Sequence, residues 1–214
     1  MSFSFAWLSF FCIKEIMGFW ASVTAVSFSL FLLMDPVGNV PLFVAILKDH
    51  HMQRQRMIIF REMCIALAVI LTFTFLGEAF LDLLGISHSS TLISGGIILF
   101  LIAIRMIFPS HQEDEVTNST KKEPLVFPLA IPLVAGPGVL AAVSFYSHNE
   151  PWQVMVVSIV IAWVVSTAIL LSGSYLKKVL GPRGITACER LMGLLLTLMA
   201  VELFMHGLSI YIGK

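Results

Sequence analysis

Met34-Asp35-Pro36-Val37-Gly38-Asn39-Val40-Pro41 is the stretch on which the fold of this chain turns. It sets prolines, a glycine and polar side chains inside an otherwise apolar run from Phe19 to Leu47. As one straight helix that run would reach about 43 Å, against a hydrocarbon thickness of about 30 Å, so the interruption falls at membrane depth. Proline lacks an N–H and clashes with the preceding turn; Asp35 followed by Pro36 has the pattern of an N-cap with proline in the first helical position. The helix stops and restarts there. Irregular backbone inside a bilayer persists only where protein buries it or where it lines a watery cavity, so this segment is the first candidate for a substrate site. A structural kink packed against its neighbours is the alternative, against which the polar side chains argue.

Outward from the break, the composition agrees. Apolar residues make up 58% and charged residues 12% of the 214, against about 25% charged in soluble domains, and the mean hydropathy is +0.94. The chain is expected to be an all-α integral membrane protein of one domain. No basic stripe with interleaved aromatics points to nucleic acid, and Cys12, Cys64 and Cys188 lack metal-ligand spacing. Neither a cofactor nor a metal is implied. Phe3 to Ile13 is apolar but too short to span and has no preceding positive charge, so residues 1–18 form an N-terminal extension: a surface segment, or a start assigned upstream of Met17.

Six transmembrane helices are expected: Phe19–Leu47, Glu62–Ile86, Thr91–Phe108, Pro124–Ser147, Trp152–Leu176 and Leu191–Ile212. The fourth carries Pro128, Pro132 and Gly136-Pro137-Gly138. The connectors 48–61, 109–123 and 177–190 hold ten of the thirteen Lys and Arg residues, which makes those loops cytoplasmic and both termini periplasmic. Two halves share one layout, 19–108 and 124–213 on either side of the loop 109–123: a Pro/Gly-broken span, a continuous span, and a span with glycine near its start. Gly96 to Arg105 aligns with Gly193 to Glu202, matching glycine with glycine and Ala103 with Ala200. An odd number of spans per half turns the second half upside down, giving two inverted three-helix repeats, the plan of secondary transporters. Helix N-termini at the breaks suit a carboxylate, exposed carbonyls suit an ammonium group, and the glycines leave room for a small ligand.

The segments DPVGNVPLF (35–43), SGGIILFLIAIRMIFP (94–109), PLAIPLVAGPG (128–138) and ERLMGL (189–194) resemble the MarC family of bacterial inner-membrane proteins over roughly residues 17–214. The resemblance implies six spans in inverted halves, a place near the LysE-type exporters, and transport of small neutral amino acids. Carried over by position, it implies a substrate site at Asp35, Pro36, Gly38, Asn39, Pro41, Gly136, Pro137 and Gly138.

Ionisable groups inside the spans each need a reason. Glu78, with Asp82 one turn on, is either an outer vestibule residue or a carboxylate that couples protons; Glu202 with His206 at i+4 is either a proton relay or a structural hydrogen bond. Arg105 is expected to snorkel to the interface, and Glu189-Arg190 to anchor the start of the last span. No nucleotide loop, G-x-S-x-G or H-E-x-x-H is present, so the expected function is non-enzymatic: a secondary transporter, exporter or exchanger, of small neutral amino acids or similar small metabolites by alternating access, with proton coupling left open. Its expected partners are a small-molecule substrate and the lipid bilayer. A membrane scaffold or an intramembrane enzyme is the alternative.

Overall fold

The computed structural model describes residues 2–47, 51–108 and 134–213. These form helices α1 (Ser2–Met34), α2 (Pro36–Ile46), α3 (Met52–Leu83), α4 (His88–Ile107), α5 (Pro137–Asn149), α6 (Trp152–Leu171) and α7 (Gly173–Ile212). Five stretches are long and apolar enough to cross a membrane: Gly18–Val40, Met52–Leu83, His88–Ile107, Trp152–Leu171 and Gly184–Ile212. The fourth expected span is represented by α5 alone, whose thirteen residues rise only about 20 Å; residues 124–133 lie outside the described residues.

Several boundaries differ from the sequence expectation. Residues 52–61, expected in a polar connector, are the first three turns of α3, because Gln and Arg propagate a helix well and Ile59 turns inward at 7% exposure. Gly77, Glu78 and Asp82 do not interrupt α3. The connector expected at 177–190 is helical too, broken within α7 at Gly181, whose φ of 65° suits glycine, with Pro182 next. Glu189 and Arg190 therefore sit inside a helix and do not start one. α1 is continuous from Ser2 through the start of the first candidate span.

Helix α6 packs on α1, α3 and α2. Its buried positions Val154, Ser158, Ala162 and Ser166 recur every fourth residue, and Met155, Ile159 and Leu170 widen the stripe. α6 runs parallel to α1, since Ser158 Oγ donates to the Val23 carbonyl (3.2 Å) and Ser166 Oγ to Met34 Sδ (3.7 Å). It runs antiparallel to α3: Trp163 Nε1 donates to the Met63 carbonyl at 2.7 Å, while His148, just before α6, meets Glu78. Exposed Phe28, Phe75, Phe80 and Leu198 on the outer surface suit lipid.

The broadest packing joins α4 to α7, and glycine makes it close. A Cβ on Gly96 would lie 2.9 Å from both the Ala200 carbonyl oxygen and the Phe204 nitrogen. A Cβ on Gly193 would lie 3.2 Å from the Ala103 carbonyl oxygen and 2.9 Å from Ile107 Cγ1. Under the register that equates Gly96 with Gly193 and Ala103 with Ala200, the two contacts are the same contact made twice. The pattern extends outward: α5 packs on α3 and α4 as α2 packs on α6 and α7.

Candidate functional site

Pro36 has no N–H to lose at the head of α2, and Asp35 precedes it in a left-handed conformation (φ 41°, ψ 60°), which a short polar side chain tolerates. Its Oδ1 accepts from the Gly38 N–H at 3.1 Å, capping α2. Asn39 reaches the other way: Nδ2 donates to the Met34 carbonyl at 3.1 Å, satisfying one of the orphan acceptors at the end of α1. Both side chains are 8% exposed. Gly38 is required by crowding, since a Cβ would overlap the Asp35 carboxylate and lie 2.6 Å from Met106 Cε of α4. Pro41 lies within α2.

The second break is built differently. Gly136 is the N-cap of α5 in an extended conformation (φ −67°, ψ 167°), Pro137 takes the first helical position, and no side chain caps the helix. Gly138 is buried against Leu99 of α4, and Gly95 approaches the Pro137 carbonyl and Ala141. The N-terminus of α2 is thus occupied by the chain's own carboxylate, whereas no side chain among the described residues caps that of α5. Along α4 the breaks touch Met106 and Leu99, a separation of about 10 Å of helical rise. Both contacts fall in the C-terminal half of α4.

Removing the Asn39 amide tests the first break directly. Asn39→Ala leaves the buried Met34 carbonyl without its donor and is expected to destabilise the protein by about 1–3 kcal/mol, read as an earlier thermal unfolding midpoint in detergent.

The structure adds acids that sequence did not associate with the break. The Glu189 carboxylate of α7 lies close enough to repel that of Asp35. Glu62 of α3 is 1% exposed: Oε1 takes a 3.3 Å contact from Arg61 Nη2, and Oε2 has no hydrogen-bond partner among the described residues. Its position carried a signal, because Ile59, Glu62, Met63 and Ala66 form one buried stripe at helical spacing.

The candidate proton-coupling residues lie elsewhere. Glu78 and His148 meet at 3.1 Å with side chains 70% and 65% exposed, and the His148 ring lies 5.5 Å from that of His88. Glu202 and His206 do pair at i,i+4, at 3.4 Å, but on an exposed surface beside Phe145. Neither pair touches either break. Arg105, level with Gly193 on α7, is well separated from Glu202. Among the described residues no three His, Cys, Asp or Glu side chains are grouped to hold a metal ion.

Comparison with known proteins follows the same outline. The family described as "MarC family integral membrane protein" matches residues 20–212. The chain belongs to the MarC family. This MarC-family chain is 46% identical over 184 residues to the UPF0056 inner membrane protein YhgN of Escherichia coli K12, covering 85% of the chain and 93% of that relative. It is 42% identical over 191 residues to a UPF0056 membrane protein of Buchnera aphidicola subsp. Baizongia pistaciae, covering 87% and 96%. A Chlamydia trachomatis UPF0056 membrane protein is 36% identical over 181 residues, covering 83% and 88%. No solved structure matches the chain. With its apolar helices, the MarC-family chain is a multi-pass integral protein of the inner membrane.

Proposed function

We propose that this MarC-family protein is a secondary transporter of small neutral amino acids or similar small metabolites, working as an exporter or exchanger by alternating access and catalysing no reaction. The observation that carries this reading is the reciprocal contact of α4 with α7, in which Gly96 meets Ala200 as Gly193 meets Ala103. Such reciprocity is what a two-fold axis between two copies of one unit produces. We read the units as inverted repeats of three spans, 19–108 and 124–213, each opening on a helix that restarts at a proline, Pro36 or Pro137. Six spans are then expected, and the excess of Lys and Arg in the stretches 48–61, 109–123 and 177–190, the first and last largely helical, supports a cytoplasmic side there with both termini in the periplasm.

The chemistry at the breaks fits a zwitterion. The uncapped N-terminus of α5 suits a carboxylate, and the Asp35 carboxylate, with Glu189 beside it, suits an ammonium group. In this reading the repeats rock toward each other so that both ends engage one small molecule. Rocking about a close-packed axis of small residues is the motion that the α4–α7 contact permits.

A second reading has its own support. The bonds from Gly38 N–H to Asp35 and from Asn39 to Met34 close the first break without any ligand, as a structural kink in a scaffold would require. Counterflow separates the two. Purified protein in proteoliposomes loaded with glycine or alanine is expected to accumulate the labelled amino acid saturably. Folded protein giving no counterflow of either would sink the amino-acid assignment and favour the scaffold.

A further inference from the structure

We propose that Glu62 is a proton-binding site inside the bundle, and that it carries the coupling proton of the transport cycle; the second clause rests on the transporter reading above. Glu62 is the described acid most fully withdrawn from the surface, and among the described residues one of its carboxylate oxygens has no donor. A second orphan lies at its level. Thr167 of α6 is 6% exposed and its Oγ1 has no partner among the described residues. It stands one turn beyond Trp163 on the same face of α6, and Trp163 is bonded to the Met63 carbonyl, next to Glu62. With α3 and α6 antiparallel, Glu62 and Thr167 differ by about 4–5 Å of axial rise.

The hydrogen-bonding inventory says what is missing. An ionised carboxylate only accepts, whereas the acid also donates, and a hydroxyl does both. Adding a proton to Oε2 removes a buried charge and turns an oxygen that can only accept into one that can also donate. Charge balance favours the same exchange. Arg61, the cation on Oε1, has a side chain 48% exposed, so it reaches outward when the acid is neutral and returns when the proton leaves. Other charges do not interfere. α6 carries no ionisable side chain along its length, and those of α5, Tyr146 and His148, lie at the far end where His148 meets Glu78, about 24 Å of helical rise from Glu62. On α3 itself the ionisable neighbours within a turn are Arg61 and Cys64.

Dicyclohexylcarbodiimide, which modifies protonated carboxyls in apolar surroundings, tests the site without any flux. In purified full-length protein, mass spectrometry is expected to find Glu62 labelled, several-fold more as pH falls, with no effect of sodium at constant pH. No labelling of Glu62 across the pH range in which the protein stays folded overturns the proposal, and so does protection by sodium, which would make the ligand a metal cation. In proteoliposomes, an imposed pH gradient is expected to raise wild-type uptake several-fold and to change Glu62→Gln uptake not at all. A Glu62→Gln protein still stimulated by the gradient overturns the coupling role. Glu62→Asp, which keeps the acid, is expected to restore part of the stimulation, which a merely structural role would not require. Absence of counterflow from wild type is the failure of the transporter reading, and labelling still decides proton binding.

Discussion

Gly96→Leu is expected to destabilise the protein by about 3 kcal/mol or more and to leave little folded material in detergent. The first side-chain atom would already lie 2.9 Å from the Ala200 carbonyl oxygen and the Phe204 backbone nitrogen, and backbone cannot swing aside as a side chain can. Relief needs α4 and α7 to separate along the broadest interface in the structure. In a bilayer this is expensive, because helix association there relies on close packing of small residues more than on escape from water. Gly193→Leu should cost a similar amount, since its Cβ would meet Ile107 Cγ1 at 2.9 Å and the Ala103 carbonyl oxygen at 3.2 Å. Gly18→Leu supplies the control: a Cβ there meets nothing within 4 Å, and the effect should stay within about 0.5 kcal/mol. Thermal unfolding followed by size-exclusion chromatography reads all three. A folded, stable Gly96→Leu protein would remove the α4–α7 contact as the axis of the fold.

That interface also shows how far sequence reached. The recurrence of glycine and alanine at the same spacing in two apolar ladders is legible in the sequence, and the structure packs Gly96 on Ala200 and Gly193 near Ala103. The break at Asp35 was legible as well, because proline and an N-cap residue act within one turn, on backbone that is local in sequence. Periodicity, however, assigns a residue to a face without naming what lies opposite. Met106 against Gly38 and Trp163 on the Met63 carbonyl are tertiary contacts between stretches that carry no mark of one another. Glu62 went unnoticed for a further reason. The charges of Arg54, Arg56 and Arg61 make 48–61 look like a loop, yet on a helix those charges share the turn with inward-facing Ile59, and the acid after them is carried into the core. Charge density alone does not tell a charged helix turn from a loop.

Asp35→Asn is expected to keep the fold and to lose transport, with counterflow of glycine and alanine reduced at least about tenfold, or about 1.4 kcal/mol. The substitution isolates one property. Asparagine caps helices about as well as aspartate and tolerates the left-handed backbone of this position, so its Oδ1 can still accept from the Gly38 N–H. The unfolding midpoint should therefore move by the equivalent of about 0.5 kcal/mol or less, unlike that of Asn39→Ala. What disappears is the negative charge, together with its repulsion from Glu189. If the first break is only a kink, nothing depends on that charge, and relief of the repulsion makes Asp35→Asn neutral or slightly stabilising with flux unchanged. If the break faces an ammonium group during the cycle, loss of the charge removes an attraction that no amide replaces at membrane depth. A stable Asp35→Asn protein with wild-type counterflow would reduce Asp35 to a helix cap and move the search for the substrate to the uncapped N-terminus of α5, where Gly136, Pro137 and Gly138 offer backbone alone.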